Sequence, residues 1–273
     1  MSLISIFALS ALVTGAQAYD PNNRERLAHE VPAEIQGVGI DEKLGVFPTL
    51  GTEFLDETGK TVTLGQYFTN KPVLLSVVYY DCPSMCNFHL NGVLESLKQL
   101  DWTAGRDYEV VAVSMNHRET PKLAASKKKT YMNAYGRPEG EAGWHFLTGT
   151  EENVQKLTSE VGFRFKWLEG SQEYSHASAA IIMTPGGKIS RYLHGIEFEP
   201  KTMRLALLEA SNGKIGTVLD QVLMFCFQFD PSKNKYTIYA MNIMRIGGGL
   251  TLLILAIILL PLWFRKQVPG NPA

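Results

Sequence analysis

Continuous apolar runs of strand length alternate along this chain with segments in which apolar residues recur every three or four positions. Residues 73–80 (VLLSVVYY) form the first such run, rich in β-branched and aromatic side chains. A run without polar alternation predicts a strand covered on both faces. Leu90, Val93, Leu94, Leu97 and Leu100 then recur at helical spacing. Residues 108–115 (YEVVAVSM) predict a second buried strand. Thr120-Pro121 opens a basic helix running to about Tyr135, with proline suited to the first helical turn. The Lys127-Lys128-Lys129 run reads as its solvated face. A short strand is expected at 143–147, a helix at 150–161, and strands at 163–168 and 177–183. Pro185-Gly186-Gly187 marks a turn from which 188–193 returns as the second arm of a hairpin. Residues 200–210 close the pattern as a helix. Strands alternating with helices early and an antiparallel hairpin late predict an α/β fold with a mixed sheet.

Both ends depart from this pattern. Residues 1–18 (MSLISIFALSALVTGAQA) form a short apolar run closing on Ala16-Gln17-Ala18, small residues at the spacing signal peptidase accepts. The reading is a signal peptide, with the mature chain starting at Tyr19; an uncleaved anchor is the alternative. Residues 246–264 (IGGGLTLLILAIILLPLWF) carry no charge over 19 positions, close to the roughly 20 needed to cross a bilayer core. Trp263 suits the interface, and Arg265 and Lys266 follow as stop-transfer residues. The expected organisation is a signal at 1–18, an extended segment at 19–50, a folded domain at 51–211, a juxtamembrane linker at 212–245, a transmembrane helix at 246–264 and a cytoplasmic tail at 265–273. The signal puts the main domain on the exported, periplasmic side.

Charge narrows the function. With 26 basic and 27 acidic residues and a net charge of −1, the chain lacks the basic surface of a nucleic-acid binder. Its three cysteines are too few for a disulfide framework or for a four-ligand zinc knuckle. Cys82 and Cys86 therefore act as a pair, in Asp81-Cys82-Pro83-Ser84-Met85-Cys86. They fall between the predicted strand and helix, where a helix N-terminus favours anions and lowers a thiol pKa. Such a pair can form a disulfide, exchange with other thiols, or offer two soft ligands to copper(I) or zinc. Two thiolates leave a metal short of ligands, and six histidines are candidates for the third. His89 follows Cys86 by three residues on the same helix and can turn away from the thiols. His117 and His145 flank strand ends, His194 follows the hairpin, and His29 lies in the polar leader. His176 sits where a loop enters a strand, among small residues. Pattern alone does not choose His176 over His117. Cys226, between Phe225 and Phe227, reads as a small buried hydrophobe. The scattered methionines read as packing residues.

Residues 79–86 resemble the signature of the Sco/SenC family of copper chaperones for cytochrome c oxidase. Val113-Ser114-Met115-Asn116 with Arg118-Glu119-Thr120-Pro121 resembles the family's strand–loop–helix segment, and Phe146-Leu147-Thr148-Gly149-Thr150 its next strand-to-helix turn. His176-Ala177-Ser178 followed by Thr184-Pro185-Gly186-Gly187 resembles its histidine loop and hairpin. Together these span residues 51 to about 211 in order. The resemblance implies a thioredoxin-like fold, its mixed central sheet flanked by helices, here with a C-terminal transmembrane helix added. It implies that Cys82, Cys86 and His176 bind one copper ion, as Cu(I) or Cu(II). It also implies delivery of copper to the CuA centre of cytochrome c oxidase subunit II, with other copper carriers as partners. A chaperone of this kind is not an enzyme in the turnover sense. The alternative is a metal-independent, membrane-tethered thiol–disulfide oxidoreductase acting on periplasmic protein thiols through Cys82 and Cys86. A peroxiredoxin-like peroxidase ranks last, because Tyr79, Tyr80 and Asp81 stand where a Thr or Ser is wanted. The chain departs from the family pattern at Ser175, Asn116 and Asn87, each removing a charge or a proline the family often has, and in carrying its membrane helix at the C-terminus.

Overall fold

Val73–Val78 is buried at all six positions, and its alternate side chains enter two different cores. The computed structural model of the chain describes residue 32 and residues 35–81, 85–212 and 216–265. The chain divides into two units, Met1–Gln36 and Gly37–Ala273. In the first, the described residues form a turn in which the amides of Ile35 and Gln36 donate to the Pro32 carbonyl. The signal peptide expected at 1–18, and His29, lie outside the described residues.

In the second unit, β1 (Gly39–Ile40), β2 (Glu53–Leu55) and β3 (Thr61–Thr63) precede β4 (Val73–Val78) and α1 (Met85–Lys98). Then come β5 (Glu109–Ser114), α2 (Pro121–Tyr135), β6 (Trp144–Leu147), α3 (Glu151–Glu160), β7 (Phe163–Leu168) and β8 (Glu173–His176). β9 (Ala179–Met183), β10 (Ile189–His194) and α4 (Pro200–Ala210) follow. Last are α5 (Val218–Cys226), β11 (Phe227–Asp230), β12 (Lys235–Ile238) and α6 (Ala240–Arg265).

The central sheet runs β10-β9-β4-β5-β6. β4 pairs in parallel with β5, and β5 with β6, while β9 is antiparallel to both β4 and β10. The expected mixed sheet is thus present, with β4 at its centre. Leu74 and Val78 of β4, with Val110 and Ala112 of β5, join residues of α1, α2 and α4 in one core. Val73, Leu75 and Val77, with Val111 and Val113, join Phe54, Val62, Val154, Leu157 and Phe163 in the other. This is why the strand sequences read as unbroken apolar runs.

Helix starts follow the local chemistry. Thr120 accepts the Leu123 amide with Pro121 in the first turn, and Gly136, left-handed at φ 69°, ends α2 with its amide on the Met132 carbonyl. Thr150 caps α3 in the same way. α1 packs closely because residue 92 is glycine: a Cβ there meets the Ile196 carbonyl oxygen at 1.8 Å.

Three regions differ from the sequence reading. Residues 53–63 form the β2–β3 hairpin. The strand expected at 177–183 is β9, starting at Ala179, and an unexpected strand precedes it: β8 pairs with β7, setting His176 opposite Phe165. The reversal between β7 and β8 uses Gln172 at φ 57°, whose amide donates to the Leu168 carbonyl. The stretch read as a linker folds into α5 and the β11–β12 hairpin. Tyr236 of β12 is buried in the α4 core, with Leu223, Met224, Phe227 and Phe229 packed against it. α6 contains an 18-residue apolar segment, Met244–Pro261, long enough to cross a membrane and wholly unburied by the rest of the chain.

Gly92→Ala is expected to push α1 off the Ile196 backbone and to destabilise the protein by about 1–3 kcal/mol. Chemical denaturation followed by tryptophan fluorescence measures this; an unchanged midpoint contradicts the close approach.

Candidate metal site

The carboxyl end of β4 leads through Tyr79, Tyr80 and Asp81 to the cysteine turn. Cys82 lies outside the described residues. Cys86 is the second residue of α1, and only its backbone is described. His176 ends β8, half-buried, with its Nδ1 2.7 Å from the Ala177 carbonyl and its ring 6.1 Å from that of Phe163. The ring is therefore packed against an aromatic neighbour rather than surrounded only by small residues. Burial lowers its pKa below the ordinary histidine value, against the opposing pull of the Ala177 carbonyl. Among the described residues no group of three His, Cys, Asp or Glu side chains is gathered as for a metal ion.

Two side chains hold the cysteine helix and the histidine strand in register. His89 of α1 is buried, its Nδ1 2.8 Å from Ser178 Oγ and its Nε2 3.0 Å from Ser76 Oγ. Ser178 already donates its hydroxyl proton to the Gly195 carbonyl at 2.8 Å. It can therefore only accept from His89, which fixes the Nδ1–H tautomer and leaves Nε2 to accept from Ser76. One neutral imidazole thus ties the helix that carries Cys86 to β4 and to the residue two beyond His176. Burial drives its pKa down to about 4, with the nearby His176 adding to the shift. At the strand ends, the Tyr79 ring meets Tyr174 of β8 edge-on at 5.5 Å, and Tyr174 packs on Phe165 and Trp167.

Glu119 fixes the approach to Cys82. Its carboxylate accepts the Tyr80 amide at 3.0 Å, the Asp81 amide at 2.6 Å and the Ser114 hydroxyl at 2.5 Å. It is buried, which raises its pKa above the usual carboxylate value although all three bonds favour the charged form. Tyr80 is locked on its other side, its hydroxyl sharing a proton between the Ala112 and Leu147 carbonyls at 2.8 and 2.9 Å. Sequence reasoning placed Glu119 in a motif without seeing this role, because Asp81 and Glu119 are 38 residues apart.

The remaining described histidines lie in other settings. His145 Nε2 lies 3.2 Å from Glu109, and its ring sits 4.2 Å from that of Tyr67. His194 Nε2 lies 2.7 Å from Glu42. His117 lines an open cleft with Met115, Arg118, Trp167 and Tyr174.

Two outcomes are expected. Between pH 6.5 and about 4 the unfolded chain protonates His89 while the folded chain does not. Stability is therefore complete above pH 6.5 and falls as pH drops towards 4, by at most about 3 kcal/mol from this residue. His89→Gln should flatten that slope in denaturation curves taken across the range, leaving the smaller, same-signed share of His176. Glu119→Gln, which turns an amide donor towards one of the two backbone amides, should cost about 1–3 kcal/mol. An unaltered denaturation midpoint counts against the anchor.

No protein of curated function matches the chain. A crystal structure from Aquifex aeolicus VF5, named for electron transfer, superposes with a TM-score of 0.55 at 22% identity, covering 63% of this chain and 96% of its own. A second from the same organism, named for electron transport, gives 0.51 at 22% identity over 63% and 99%. Arabidopsis thaliana ScoI, solved with copper bound, gives 0.46 at 17% identity over 60% and 99%. The SCO1/SenC family model matches residues 50–210, which take in the cysteine turn, Glu119 and His176, and the chain belongs to that family.

Proposed function

We propose that this protein is a membrane-anchored copper chaperone that carries one copper ion as cargo on Cys82, Cys86 and His176. Its recipient is the CuA centre of cytochrome c oxidase subunit II. Two thiolates and an imidazole form a soft, three-donor set suited to copper(I) and tolerant of copper(II). Membership of the SCO1/SenC family supports copper handling in oxidase assembly. One observation carries the assignment of the third ligand. The His89–Ser178 hydrogen bond and the Tyr79–Tyr174 contact tie the elements bearing Cys86 and His176 to the same end of β4, whereas His145 and His194 are engaged with Glu109 and Glu42.

In this reading residues 1–18 direct export and are removed, and residues 51–211 form the copper domain on the periplasmic side. Residues 246–264 cross the bilayer within α6, and 265–273 remain in the cytoplasm. The unburied apolar segment Met244–Pro261 supports the anchor. Release to a partner is assisted where thiol–disulfide exchange with a disulfide on another protein converts Cys82 and Cys86 to a disulfide while that protein's disulfide is reduced to two thiols.

The full chain, purified in detergent and loaded with copper(I), is expected to hold one copper per molecule by elemental analysis. His176→Ala, Cys82→Ser and Cys86→Ser are each expected to lose it. Undiminished copper in the His176→Ala protein overturns the three-ligand site. If that variant also still cycles thiols and disulfides of a protein substrate in metal-free buffer, a plain dithiol oxidoreductase replaces the chaperone.

A further inference from the structure

α5 is apolar on both of its faces, and only one of them is covered. Its inner face is tightly specified. Asp220 forms a paired contact with Arg204 of α4 at 2.8 and 2.9 Å, closes a capping box with Thr217, and is held down to a pKa of about 2, chiefly by Arg204. Leu223 and Met224 pack into the α4 core. The outer face presents Leu219, Val222 and Phe225 at 67%, 52% and 49% exposure. Their spacing of three residues lines them along one stripe. An apolar stripe on a helix face ordinarily packs against a cover, and this one is exposed.

The neighbouring element supplies the identity of that cover. Asn242 in the first turn of α6 donates its side-chain amide to the Phe225 carbonyl at 2.6 Å, and the Tyr239 amide donates to the Cys226 carbonyl at 2.9 Å. The end of α5 is therefore fixed against the start of α6. Arg245, the last charged residue before the uncharged stretch, is three residues beyond Asn242, about 4.5 Å along the helix axis. Phe225 thus lies at the depth where the span meets the headgroups. Ile238, Tyr239, Met241 and Met244, at the end of β12 and the start of α6, are also exposed, and an aromatic such as Tyr239 suits that level.

We infer that the outer face of α5 lies in the membrane interface, with Leu219, Val222 and Phe225 inserted at the headgroup–acyl boundary, so that the copper domain rests on the lipid surface. The inference rests on the reading of α6 as a bilayer span. In-plane helices bind through a buried apolar face of this kind; here the folded domain takes the place of the usual polar face.

The test is hydroxyl-radical footprinting of the full chain, one molecule per nanodisc of phosphatidylethanolamine and phosphatidylglycerol, read by mass spectrometry. Phe47 and Phe88, exposed at 63% and 54%, are matched comparators for Phe225. Leu219, Val222 and Phe225 are expected to react as slowly as Leu252 and Leu253 of the span, while Phe47 and Phe88 react as open side chains. If Phe225 reacts like Phe47 and Phe88 while the span is protected, the docking is wrong and the anchor stands. If Leu252 and Leu253 react as well, the span fails and the docking with it. Protection found only in discs holding two molecules identifies a second copy as the cover and overturns the lipid contact.

Discussion

The site end of this fold depends on one buried imidazole held between two serine hydroxyls. His89 is buried, so both ring nitrogens must find protein partners, and these are Ser76 and Ser178. Satisfying them brings together a helix, the central strand and the segment entering β9. Displacing any of the three leaves a polar atom buried without a partner. A contact between apolar side chains could slip by an ångström at little cost; this one cannot. It is joined by the Glu119 carboxylate, which holds the other approach to the cysteine turn through two backbone amides and a serine hydroxyl. The turn is thus bounded on both sides by hydrogen bonds from buried groups.

The two groups have opposite electrostatic character. Burial favours the neutral form of both, pulling the imidazole down and pushing the carboxyl up. For His89 burial outweighs the opposing pull of the Gly195 backbone, and a neutral ring suits its two hydroxyl partners. For Glu119 the bonds from Ser114, Tyr80 and Asp81 pull the other way, favouring the carboxylate against its burial.

Much of the fold was legible in the sequence because burial wrote it there. Residues 73–78 and 109–114 pack on both faces and read as unbroken apolar runs; Thr120-Pro121 and Thr150 mark helix starts through capping chemistry. β8 was not legible, since Glu173, Tyr174, Ser175 and His176 are all half-buried and show no alternation. Nor was the tail, where an apolar sequence next to a helix long and apolar enough to cross a membrane gives no sign of which face meets protein. The candidate ligands were legible only through the family resemblance: His176 is one histidine of six, and spacing along the chain does not report that β8 comes back to the end of β4. The supporting residues were less visible still, because a buried acid or imidazole acquires its role only once distant strands have paired.

The folded tail has a mechanical consequence. With Tyr236 buried in the α4 core and its ring packed edge-on against Phe229 at 5.4 Å, and with Arg204 gripping Asp220, residues 217–238 are held against α4 rather than left as a free stalk. Under the proposed reading, in which α6 is the anchor, the domain would be carried at a set stand-off from the lipid, and a recipient would have to bring its own acceptor to that height and angle.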